Sequence, residues 1–184
     1  RMQDRDPRSR TYGNFRWSWS HEGVLDGNAV DFCMQTGALL WLRHQETMPT
    51  GARTKLREIL EFAAQGLIGH RVPEQYTNIA LMNAGDLILL GEALGKPDVA
   101  AEGYTRLDRF LLVMWEGGTH EYVSPTYYGV DLDDLALIEA FCQRERGRQQ
   151  ARALLEFFWT DIALNWFPPA QKLAGARSRD YDYL

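Results

Sequence analysis

The stretch TNIALMNAGDLILLGEALG, residues 77–95, is apolar nearly all the way round when wound as a helix. A surface helix of a globular protein carries one apolar stripe, so a helix apolar on every side must be covered on both sides. Thr77 reads as its N-cap and Gly95 as its stop. Such a helix belongs to an inner layer, and the flanking sequence supplies the helices to cover it.

Upstream, DGNAVDFCMQTGALLWLRHQ (residues 26–45) sets Val30, Cys33, Met34, Gly37, Leu40 and Trp41 on one stripe at helical spacing. ARTKLREILEFAAQGLIG (residues 52–69) does the same with Leu56, Ile59, Leu60, Ala63 and Leu67. Downstream, residues 96–118 open with Pro97 and Asp98, tolerated in a first turn, and close on paired glycines. DLDDLALIEAFCQRERG (residues 131–147) has acids at its start and arginines at its end, as a helix dipole favours. Residues 148–167 form a last helical run, stopped by Pro168–Pro169.

The spacing predicts helices near 28–45, 52–68, 78–94, 98–116, 131–145 and 149–165. That is an all-α chain of three antiparallel hairpins with no strand. A period of about 45–50 residues suits a helical array or an α/α-toroid-like arrangement, part of an incomplete ring. The faces bearing Leu81, Leu89, Leu111, Trp115, Leu135, Ile138, Leu155 and Phe158 are expected to be buried. Residues 1–25 are polar, aromatic and without periodicity, and read as an extended arm on a single domain spanning 1–184. The tail SRDYDYL carries no helix stop signal, as expected of a piece of a longer polypeptide.

A chain that is 45% hydrophobic can fill a core, and its net charge of −5 argues against a general nucleic-acid binder. Only Lys55, Lys96 and Lys172 are lysines among its 20 basic residues, and arginine suits bidentate recognition of carboxylates and phosphates. A GC-rich genome would produce the same bias. Cys33 and Cys142 sit in helical apolar segments and read as buried free thiols. No run reaches membrane-spanning length. No CxxC, HxxxH or HxH spacing points to a metal, and no cofactor is implied.

Three connections are richer in functional groups than a turn requires. They hold His70 with Tyr76-Thr77-Asn78, the stretch THEYVSPTYYGV (residues 119–130), and GARSRDYDY (residues 175–183). Each has a structural explanation. Asn78 can support a helix start, Ser124-Pro125-Thr126 can form an N-terminal turn, and Tyr127 and Tyr128 can pack with wet hydroxyls. Arg177, Arg179 and Asp180 can form a surface ion-pair cluster. Their joint occurrence in connections that can share one face raises the functional reading.

A helical-hairpin chain carrying in order an asparagine, a histidine with a tyrosine several residues on, and a downstream arginine resembles the α/α-toroid polysaccharide lyases of chondroitin, alginate and heparinase type. The resemblance implies β-elimination on a uronic-acid-containing glycan, with Asn78, His120, Tyr127 or Tyr128, and Arg179 or Arg177 in the catalytic set. Arg177, Glu121, Trp115 and Tyr122 would line the substrate. It also implies a polysaccharide or oligosaccharide partner and a secreted or periplasmic setting. The chemistry is coherent: an amide and a histidine neutralise the uronate carboxylate, and a tyrosine beside an arginine takes the proton and meets the leaving oxygen. Two alternatives stand beside it. One is a glycoside hydrolase using Glu121 with Asp180 or Asp131; the other is a non-catalytic helical-repeat binding module. Trp17, Trp19, Trp115 and Trp166 would suit sugar stacking in either enzyme.

Overall fold

The computed structural model describes residues 2–179 and is all-α. Its helices are α1 (Ala29–His44), α2 (Thr50–Gly69), α3 (Thr77–Ala93), α4 (Pro97–Gly117), α5 (Pro125–Phe141) and α6 (Glu145–Asn165). Every residue from Thr77 to Gly91 is buried, so the helix apolar on all sides is the central one. α1, α2, α4 and α5 all pack on it, and α6 packs on α5.

Side-chain pairings fix the directions. Asn28 bonds the Tyr76 hydroxyl and Asp31 meets Asn83, so α1 and α3 run the same way. Asn78 meets Glu121 and Gly85 faces Ile138, so α5 runs with α3. The odd-numbered helices therefore form a row whose N-terminal ends lie together, and loops 70–76 and 118–124 gather there. The chain after α6 returns to the same end, where the Ser178 N–H donates to the Tyr122 carbonyl at 3.1 Å.

The closest helix pair is α3 with α4, and glycine is the reason. Gly91 lies against the backbone of Ala100, and a Cβ on Gly103 would stand 2.6 Å from the Ile88 nitrogen. Gly95 ends α3 at φ +69°, which lets the Lys96 N–H bond the Gly91 carbonyl at 2.7 Å. The arm before α1 is irregular apart from one bridge between Gln3 and Phe15. It docks on α2, where Gly13 (φ +85°) lies on the Phe62 carbonyl and Gln3 Nε2 donates to the Ile59 carbonyl at 2.9 Å.

Several expectations are corrected. α5 begins at Pro125, not near 131, because Ser124 caps it by accepting the Tyr127 N–H at 3.2 Å and Pro125 fits the first helical position. It ends at Phe141, and α6 starts at Glu145 rather than near 149. After α6, Trp166–Phe167 and Lys172–Leu173 make a two-residue antiparallel ladder around Pro168–Ala170, where only loop was expected. Trp115 is 88% exposed instead of buried, Leu111 and Leu155 are half-buried, and Ala38 takes the buried place expected of Leu40. Leu81, Leu89, Leu135, Ile138 and Phe158 are buried as the pattern predicted. Cys33 and Cys142 are free thiols, Cys142 buried and Cys33 half-buried. No helix among the described residues is long and apolar enough to cross a membrane.

Candidate functional site

The N-terminus of α3 exposes backbone donors that no neighbouring side chain satisfies. Thr77 lies inside the helix rather than capping it, and Tyr76, at the capping position, makes no side-chain capping bond. The acceptor arrives from far along the chain: Glu121 Oε2 takes the Asn78 N–H at 2.8 Å. A carboxylate there also meets the positive end of the helix dipole. Burial pushes the Glu121 carboxyl above its ordinary value, opposed by the Asn78 N–H and the Arg179 guanidinium.

The loop that delivers Glu121 is strained. Val123 sits at φ +49°, a left-handed conformation that a β-branched residue rarely adopts. Tyr128 holds it there. Its hydroxyl accepts the Val123 N–H at 2.8 Å and donates to Asp161 at 2.6 Å, while its ring packs edge-on against Phe158. Burial and the bond to Asp161 push this hydroxyl far above the usual tyrosine range. Tyr128 is thus a buried post under a strained loop.

Tyr127, one position earlier, is half-buried and differently placed. The Arg179 guanidinium donates to its hydroxyl at 2.9 Å and lies 5.5 Å from its ring centre. The tail that carries Arg179 is tied down beside it, because the Ser124 hydroxyl donates to the Arg179 carbonyl at 2.8 Å. Asn78, Glu121, Tyr127 and Arg179 therefore come together from four separate segments: α3, the loop, α5 and the tail.

The other expected contributions are placed differently. His120 is exposed, and Tyr122 is about half-exposed, contributing its carbonyl to the tail. The Asn78 side chain is buried, and its Oδ1 has no hydrogen-bond partner among the described residues, so the contact it brings is its backbone N–H. Arg177 donates to the Leu173 carbonyl at 2.7 Å and lines a groove of about 400 Å³ with Pro125, Tyr128, Trp166 and Lys172. Trp115 lines a different, apolar groove with Leu111, Met114, Leu154 and Phe157, between α4 and α6. Of the carboxylates weighed for hydrolysis, Asp131 is wholly buried, out of reach of a sugar, and Asp180 lies outside the described residues.

A polar network inside the inner row has no motif in the sequence to announce it. His70 Nδ1 lies 2.7 Å from Asp31 Oδ2, and Asn83 donates to Asp31 Oδ1 at 2.7 Å. Arg106 reaches Asn83 and caps the end of α2 through the carbonyls of Leu67, Ile68 and His70. Deeper lie Asp86, Asp131 and Asp134, with unpartnered carboxyl oxygens among the described residues. The available signal was two polar residues, Asn83 and Asp86, in a helix apolar everywhere else. No group of three or more histidine, cysteine or acidic residues among the described residues could hold a metal ion.

No curated protein and no solved structure matches the chain. One family does match, over residues 3–184, and with nearly the whole length covered the chain belongs to Domain of unknown function (DUF8769).

Proposed function

We propose that the chain is a carbohydrate-active enzyme that cleaves a uronic-acid-containing glycan by β-elimination, with Tyr127 as its base. The observation that carries this reading is the Arg179 guanidinium on the Tyr127 hydroxyl at 2.9 Å. A positive charge beside a phenol oxygen favours the deprotonated form, and that form can take the proton next to a uronate carboxylate. The same oxygen, once protonated, can meet the departing 4-oxygen. Glu121, a buried carboxyl on the Asn78 N–H, stands beside the pair. The neighbouring groove offers Arg177 and Lys172 to an acidic chain and Trp166 to a sugar face.

Tyr127→Phe tests the proposal by removing one oxygen from a half-buried position, so the fold should survive. Turnover of an acidic polysaccharide, followed by the ultraviolet absorbance of the new double bond, should fall by about 10²–10⁴-fold. Parental turnover in Tyr127→Phe, or no cleavage of any acidic polysaccharide by the parent, would sink it.

A further inference from the structure

A cleft in the described structure lies away from Tyr127, within the N-terminal arm. It encloses about 880 Å³, and its lining includes Asp4, Asp6, Glu22, Arg5, Arg16 and Trp19. We infer that this cleft is a binding site for a neutral oligosaccharide, with Trp19 as the stacking platform.

The arm forms a built frame rather than a loose strand. Asp4 and Asn14 are joined through backbone at 2.8 Å, Arg16 to Met2 at 2.9 Å, and Gln3 to the α2 carbonyl of Ile59. Arg5 pairs with Glu58 and lies over the Phe62 ring, and Thr11 donates to Asp4 at 2.7 Å. The walls of the cleft are therefore held by α2 and by their own ladder. Within that frame one large ring stands out, since Trp19 is 65% exposed. Trp17, by contrast, is engaged with Asp26 and the Phe32 ring.

The charges choose the ligand. Three acids and two arginines line the cleft, so it presents no field of single sign and suits neither a polyanion nor a polycation. Glu22 takes part in none of the ion pairs among the described residues. A sugar ring matches such a lining, with C–H bonds for the indole face and hydroxyls that donate to carboxylates and accept from guanidinium groups.

The inference does not depend on the elimination chemistry at Tyr127, and its test is kept apart from it. Tryptophan emission of the whole chain is titrated with maltotriose, cellotriose, xylotriose and chitotriose, with a uronate trisaccharide as the charged comparison. A saturable change with at least one neutral trisaccharide is expected, weakened about tenfold or more in Trp19→Ala. Glu22→Gln should weaken it too, while Trp115→Ala and Tyr127→Phe leave it intact. Because Trp19 is exposed, its replacement leaves the packing of the arm in place. The idea is overturned if no neutral trisaccharide perturbs the emission, if Trp19→Ala binds like the parent, or if only the uronate binds.

Discussion

Glu121 does two things at once: it closes the N-terminus of α3, and it stands next to the Arg179–Tyr127 pair. Glu121→Ala should leave the buried Asn78 N–H without an acceptor. The expected loss is roughly 1–3 kcal/mol of stability, read as a lower midpoint in urea. Glu121→Gln keeps an acceptor and should recover most of it. A Glu121→Ala midpoint equal to the parent's would show that water replaces the carboxylate. These partners were only half legible in the sequence. Ser124 before Pro125 announces a capped helix start, so Tyr127 and Tyr128 could have been placed in a first turn. Which tyrosine is buried depends on Asp161 and on the strain at Val123, and no local pattern carries either.

At the scale of elements, the α3–α4 contact governs how tightly the inner helix is held. Gly103→Ala would bring a methyl against the Ile88 nitrogen and, at 2.9 Å, the Ala84 carbonyl. Backbone on both sides can yield only by parting the helices, so a loss of about 1–3 kcal/mol is expected. Leu89→Ala, which empties a buried site on the same helix, should cost about 2–5 kcal/mol. Thermal melts of both variants check this, and a Gly103→Ala protein that melts with the parent would mean the helices separate freely. Helix number and order were legible because breakers such as Pro73, Gly95 and Pro168 fall between apolar stripes. The close α3–α4 approach was not: a glycine in a helix reads as a weak point until its opposing backbone is known. Trp115 failed for a related reason, since its spacing puts it near the apolar stripe and only packing decides whether the edge of a stripe is covered.

At the scale of the molecule, the inner row shares a layer of acids that sets how stability depends on pH. Asp86 on α3 and Asp131 and Asp134 on α5 are buried, and burial first, then neighbouring acids, push their carboxyls well above the ordinary range. The groups facing this layer are Asp31 and Cys33 on α1, Asp133 on α5 and Glu121 from the loop, with Gln35 donating to Asp134 at 2.9 Å. None of these neighbours brings a cation to Asp86. A carboxyl whose folded value is raised is neutral in the fold at a pH where the unfolded chain has already ionised it. Its contribution is intact below the unfolded value of about 4 and is lost as pH climbs toward the folded value. Carboxyls held low, such as Glu102 beside Arg106, act in the opposite sense but are shifted less and weigh less. Stability should therefore fall as pH rises from about 4 through the raised folded values. Asp86→Asn removes one ionisation while keeping the shape, so its melting temperature should exceed the parent's at pH 8, with the gap closing toward pH 4. If the parent is as stable at pH 8 as at pH 5, and Asp86→Asn gains nothing with rising pH, the acids of the inner row are ionised and compensated within the fold.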